Sequence, residues 1–145
     1  IRGAIFDAAS GNPSMISVRD AINGYDDNIR YVKAINYIEL PSIDLETTKA
    51  FYGSVFGWGF IDYGPTYVAI TGAGIDGGFE LNPEGRTPST DGALVILASD
   101  DLEASQAAVE AAGGAISVSA FDFPGGRRFH FSDPSGNERA VWTPA

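Results

Sequence analysis

The sequence has no cysteine, one histidine and one methionine in 145 residues, and nine lysines and arginines stand against nineteen aspartates and glutamates. The missing cysteine excludes disulfides, thiolate nucleophiles and cysteine-ligated zinc. A lone histidine, His130, excludes any site that needs two. The shortage of basic residues leaves a formal net charge of −10, which opposes binding to nucleic-acid phosphates and to anionic membrane surfaces. A neutral or cationic partner is expected instead. No apolar run approaches the roughly 20 residues that span a bilayer, and the first residues lack the charged, apolar, small-residue order of a secretory signal. A cytoplasmic setting fits these absences. Nucleotide and protease signatures are missing too: there is no P-loop, no GxGxxG after a strand, no GxSxG elbow and no HExxH. No organic cofactor is expected.

What is present suffices for a core. Apolar residues make up 44% of the chain and aromatic ones 12%, consistent with one domain of this length. The chain begins with Ile1 and its methionine is Met15, so residues 1–14 read as an expression remnant or a trimming product. Residues 1–33 as a whole read as an N-terminal extension, in which ISVRDAI is a short strand or a helical turn. The domain proper is expected over 34–145.

Internal repetition decides the architecture. The segment Ile38 to Trp58, IELPSIDLETTKAFYGSVFGW, aligns without gaps on Val95 to Ala115, VILASDDLEASQAAVEAAGGA, at an offset of 57 residues. In each copy an apolar run predicts a strand, and Asp44 or Asp101 then predicts a helix N-cap. Glu46 and Glu103 favour the positive end of the helix dipole. Leu45, Tyr52, Val55 and Phe56, and in the second copy Leu102, Val109 and Ala112, form one stripe expected to face a sheet. Gly57 and Gly114 suit the left-handed residue that ends each helix. Strands are predicted near 58–63, 66–71 and 75–81, and again near 115–119, 127–132 and 138–143. The fold class is therefore α+β: two tandem βαβββ modules, 34–81 and 92–145, joined by the polar, turn-rich linker 82–91.

Two such modules, with INYIELPSIDLETTKAFYGSVFGW in the first and FSDPSGNERAVW closing the second, resemble the vicinal oxygen chelate superfamily, which includes glyoxalase I, extradiol dioxygenases and the fosfomycin- and bleomycin-resistance proteins. The resemblance covers about residues 34–144. It implies a cup of curled mixed sheets, commonly in a homodimer, and in the enzymes a divalent metal held by His, Glu or Gln. The usual ligand places fall on Tyr37, Leu94 and Ala140, none of which is a good ligand. Weak alternatives are Glu39, Glu80 and Glu138, and a site of carboxylates alone would suit magnesium, calcium or manganese.

The expected binding residues are Tyr37, Glu39, Tyr67, Phe79, Leu94, His130, Glu138, Ala140 and Trp142, with Glu39 and Glu138 on the inner faces of their strands. Arg127, Arg128 and Arg139 either clamp an anion or pair with the protein's own carboxylates. Two functions follow from the resemblance. One is a metal-independent protein that binds, and sequesters, a small molecule such as a drug or metabolite. The other is a metal-dependent lyase, isomerase or dioxygenase with an unconventional carboxylate site. Acid–base chemistry at His130 or a cup carboxylate without metal is a third.

Overall fold

The computed structural model describes residues 33–145, and the chain divides between Asn36 and Tyr37. The expected strand or turn at ISVRDAI, with the rest of residues 1–32, lies outside the described residues. The unit from Tyr37 onward runs β1 (Tyr37–Pro41), α1 (Leu45–Phe56), β2 (Gly59–Asp62), β3 (Tyr67–Thr71), β4 (Asp76–Glu80), β5 (Val95–Ala98), α2 (Leu102–Ala111), β6 (Ala115–Phe123), β7 (Gly126–Ser132) and β8 (Glu138–Pro144). The strands form two four-stranded mixed sheets, ordered β1-β4-β3-β2 and β5-β8-β7-β6. In each sheet the first strand of its module pairs parallel with the last, and the other pairings are antiparallel. This is the α+β duplication that the sequence predicts. No described helix is long and apolar enough to cross a membrane.

The duplication extends to hydrogen bonds. Asp44 accepts from the Thr47 amide at 3.2 Å and Asp101 from the Ala104 amide at 3.0 Å. Just upstream, the Ser42 hydroxyl pairs with Thr48 and accepts from the Asp44 amide, as Ser99 pairs with Ser105 and accepts from the Asp101 amide. Each strand-to-helix corner thus satisfies amides that the first helical turn leaves without partners.

The helix ends differ. Gly57 takes the left-handed conformation expected of it, at φ 74°. In the second module that role falls to Gly113, at φ 101°, and not to Gly114, because α2 stops at Ala111. Gly114 has a packing reason: a Cβ there would stand 2.7 Å from Val109 Cγ1 and 3.1 Å from the Phe51 ring.

The core joins both modules. Leu45, Phe51 and Tyr52 of α1 meet Val68, Ile70 and Phe79 of the first sheet and Phe129, Phe131 and Val141 of the second. Phe51 lies 5.8 Å from Phe131, ring centre to ring centre, so a first-module helix packs on a second-module strand. The buried stripe is Leu45, Thr48, Phe51 and Tyr52, displaced from the expected one. Val55 and Phe56 are only partly buried.

One polar cluster lies inside this core. The Asp133 carboxylate accepts from Tyr52 Oη at 2.8 Å, from the Asn137 and Ser135 amides and from Asn137 Nδ2. Arg139 Nε donates to Tyr52 Oη at 3.0 Å, and Asn137 Nδ2 reaches the Pro41 carbonyl of the first module. Burial holds the Tyr52 hydroxyl far above its ordinary pKa, so it remains a donor to Asp133 while accepting from Arg139. Replacing Tyr52→Phe deprives both charged partners of a hydrogen bond. The expected loss is about 1–3 kcal/mol, read as a lower urea midpoint with unchanged slope; an unchanged midpoint would show that the hydroxyl contributes nothing.

Candidate functional site

Strand alternation gives each sheet one face toward the core and one away from it. In the first module the outward face carries Tyr37 and Glu39 on β1, Tyr67 on β3, and Asp76, Gly78 and Glu80 on β4, since Tyr37 pairs with Asp76, Glu39 with Gly78 and Tyr67 with Glu80. Tyr37 Oη and Tyr67 Oη are hydrogen-bonded, and Glu39 lies near enough to help raise the Tyr67 pKa. The Tyr67 phenol lies across Gly78, where any side chain would collide with it. Burial, with the bond to Tyr37 and the nearby Glu39, holds Tyr67 far above its ordinary pKa, and burial raises Tyr37 too. Both phenols are therefore neutral donors. Three expected site residues, Tyr37, Glu39 and Tyr67, do come together.

Phe79 does not join them. It is fully buried, pairs with Leu40 and Val68, and packs 5.2 Å from the Tyr52 ring. The turn around Gly74 sets the phase of β4 so that Gly77 and Phe79 face inward while Gly78 and Glu80 face outward. Phe79 is thus a core residue and not part of a binding surface.

In the second module the outward face carries Ile96 and Ala98 on β5, Arg128 and His130 on β7, and Glu138, Ala140 and Trp142 on β8, and Leu94, just before β5, borders the same cleft as His130 and Glu138. Val118 and Phe121 of β6 sit opposite His130 and Arg128. Four expected residues, His130, Glu138, Ala140 and Trp142, share this face. Ala140 is fully buried among its neighbours, while Ile96, Val118 and Phe121 remain exposed.

His130 Nδ1 lies 2.9 Å from Glu138 Oε2. A carboxylate only accepts, so Nδ1 carries a proton in this bond, and it is in the neutral ring that Nε2 keeps its lone pair. Nε2 is buried and without a hydrogen-bond partner. Both residues border a small cleft of about 160 Å³, closed on its other side by Ser89, Thr90, Gly92, Ala93 and Leu94 at the end of the linker. The strap is anchored where the Glu138 amide donates to the Ser89 carbonyl at 3.2 Å.

The three arginines divide. Arg127 pairs with Glu103 at 2.8 Å and Asp122 at 3.5 Å, and Arg139 turns into the core. Only Arg128 reaches the outward face. Its guanidinium stands 5.4 Å from the Phe121 ring centre and 5.6 Å from that of Phe123, and Phe123 lies 6.2 Å from Trp142. Among the described residues no carboxylate partners it, and its Nε is buried without a hydrogen bond. Residue-by-residue reading of the sequence grouped the arginines and missed Phe121, Phe123, Ile96 and Val118. Alternation through FDFPGGRRFHF was the available signal, since it places Phe121, Phe123, Arg128 and His130 on one side of a hairpin.

The places at which the resembling family holds a metal fall on Tyr37, Leu94 and Ala140. These three offer no suitable donor set. Glu39 lies near Tyr67, Glu138 is engaged by His130, and Glu80 stands on the first sheet with Glu39. Among the described residues no three His, Asp or Glu side chains converge as ligands within one chain, so the residues present do not fit a metal centre of that kind.

Comparison with known proteins places this geometry among relatives. The model of the Glyoxalase/Bleomycin resistance protein/Dioxygenase superfamily matches residues 34–141. CFP32 of Mycobacterium bovis, whose name proposes a glyoxylase, is 30% identical over 122 residues, covering 74% of this chain and 44% of that protein. This chain therefore spans less than half the length of that relative. A glyoxalase-related enzyme from Fulvimarina pelagi superposes with a TM-score of 0.66 at 22% identity, over 77% of this chain and 88% of the other. TnmS3, an antibiotic binding protein from a Streptomyces species, superposes at 0.60 with 25% identity, over 77% and 96%.

Because the chain has one histidine, its ring gives a single pair of nitrogen signals. Nitrogen-15 spectra of the neutral ring should show the Nδ1–H tautomer, and Glu138→Ala should abolish that preference. An Nε2–H ring in the unaltered protein would contradict the assigned pairing.

Proposed function

From membership of the Glyoxalase/Bleomycin resistance protein/Dioxygenase superfamily, to which this chain belongs, we propose that the protein binds a small organic molecule on its outward sheet faces without the help of a metal. The observation that carries this reading is the second-module face, where Arg128 stands without a carboxylate between Phe121 and Phe123 beside exposed Val118 and Ile96. Such a surface costs free energy when bare: apolar area stays in water and a half-buried cation lacks an acceptor. An occupant relieves both. The ligand-binding set is Tyr37, Glu39 and Tyr67 on one face, and Arg128, His130, Glu138, Ala140 and Trp142 on the other, with Leu94 at the cleft beside it.

A homodimer is part of the proposal. The two outward faces expose Tyr37, Ile61, Ile96, Val118 and Phe121, and a second copy laid over them would turn open sheets into a walled pocket. The similarity to an antibiotic binding protein favours sequestration of a drug-like or metabolite-like molecule.

A second reading is favoured by the His130–Glu138 pair. A ring nitrogen held by a carboxylate, with the other nitrogen carrying its lone pair, is the arrangement of an oriented general base. On that reading the bound molecule gives up a proton to His130 Nε2 once the strap over the cleft shifts. Turnover without added metal that disappears in His130→Gln would select it.

Thermal unfolding separates binding from metal dependence. A ligand that binds only the folded state at 100 times its dissociation constant adds about 2.7 kcal/mol of stability, a clear rise in Tm. Small organic molecules from a screen should include some that raise Tm, whereas Mn²⁺, Ni²⁺, Zn²⁺ and Mg²⁺ should leave it unmoved and elemental analysis should find far less than one metal per chain. One metal per chain with a raised Tm would defeat the metal-free reading and point to Glu39, Glu80 and Glu138.

A further inference from the structure

We infer that the second-module face selects a ligand carrying an oxyanion, a carboxylate or its equivalent, joined to a flat apolar body, and that Arg128 is the group that receives the anion. The inference rests on the binding reading above and reverses what net charge alone suggests for the ligand.

The chain has more than twice as many acidic as basic residues, so an arginine near a sheet should find a carboxylate. Arg127 finds two, and Arg139 lies against Asp133 at 3.9 Å. Arg128 finds none among the described residues, although Trp142 is its register partner and Phe121 and Phe123 lie beside it. Both phenylalanine rings lie within cation–π range of the guanidinium. Its edge, where the N–H donors lie, is left for an acceptor.

The charged groups nearby do not supply one. Glu138 is engaged by His130 Nδ1, and Asp122 pairs with Arg127 on the other side of β7. A guanidinium fork accepts a carboxylate or phosphate oxygen pair with two parallel hydrogen bonds. The remaining surface decides what the anion is attached to. Phe121, Val118 and Ile96 are apolar and exposed, so a small inorganic anion would leave them in water, while a planar organic acid would cover them.

His130 lies two residues from Arg128 on the same strand face, and its Nε2 is buried, so its ring stands beside Arg128 as part of the wall and offers the ligand no acceptor.

The test compares three isosteric probes on the full chain by calorimetry: 2-naphthoate, the neutral 2-naphthamide and the cationic 2-naphthylmethylammonium. The naphthoate should bind tighter than the amide by on the order of tenfold or more, the usual weight of a charge-assisted hydrogen bond. Arg128→Gln should erase that preference, read as the ratio of naphthoate to naphthamide affinity within the same variant. Arg128→Lys, which keeps charge without the planar fork, should retain part of it and serves if the glutamine variant does not fold.

Equal affinity for acid and amide would overturn the anion assignment and leave the binding proposal standing. Tightest binding of the ammonium probe would place recognition on the carboxylates of the first module instead. No binding of any probe by folded protein would defeat this inference and count against the binding proposal as well. If Arg128→Gln dissociates a dimer in sedimentation and leaves probe affinities unchanged, the occupant of Arg128 is a carboxylate of the second copy, and the inference fails.

Discussion

The carboxylate of Asp133 is the interaction on which the remainder of this fold depends. It is buried, and it collects the Tyr52 hydroxyl, two backbone amides of its own turn and the Asn137 side chain, with Arg139 close by. A buried charge is tolerated only when hydrogen bonds replace its lost hydration, and here the replacements come from both halves of the molecule. Tyr52 belongs to α1, and Asn137 also donates to Pro41 at the end of β1. The turn between β7 and β8 is thereby tied to the first module. It also fixes the phase of β8, because Arg139 must point inward to reach Tyr52. Side chains alternate, so Glu138, Ala140 and Trp142 must then point outward. A slip of one residue would exchange the two sets. The outward face proposed for binding is in this sense a consequence of the clasp beneath it.

Duplication supplies the scaffold twice but not the face twice. The corners built on Ser42, Asp44 and Thr48, and on Ser99, Asp101 and Ser105, match bond for bond, and the sheet orders match strand for strand. The outward surfaces have diverged in chemistry. One carries phenols and carboxylates around Gly78; the other carries Arg128, the His130–Glu138 pair and a ring of aromatic groups. Corners and core satisfy requirements common to any such module, namely paired amides and buried apolar area. Outward positions are free of both requirements, so they can diverge without loss of the fold.

That division also explains what was legible in the sequence. The repeat, the two helices, their caps and the module order could be read because local signals such as Asp44, Asp101 and Gly57 have mechanisms that act within a few residues. Gly114 misled because two adjacent glycines compete for one left-handed position, and tertiary packing of Phe51 and Val109 against the second decides the outcome. Phe79 misled for a related reason: aromatic character suits a core and a binding wall equally, and only the phase of β4 distinguishes them. Glu39 with Tyr67 and His130 with Glu138 required cross-strand register, which joins residues far apart in sequence. Arg128 was hidden by its neighbours Arg127 and Arg139, whose side chains point the other way. Residue type named the candidates, and register sorted them.

The net charge of −10 and the unpaired guanidinium act at different ranges. At physiological ionic strength charges are screened over about 8 Å, so a bound molecule senses the groups it touches more than the sum over the chain. The acidic shell still disfavours the approach of anions in general, while Arg128 rewards one anion in one place. A small, fully hydrated anion therefore meets repulsion with little in return, since a single surface-exposed ion pair contributes at most about 1 kcal/mol. An organic acid that also covers Phe121, Val118 and Ile96 adds apolar burial, at about 25 cal/mol per Å², and strengthens the ion pair by excluding water from it. Recognition then requires both halves of the ligand at once. Selectivity of that kind needs no metal and no rigidly matched cavity, only a cation placed where apolar contact must accompany it.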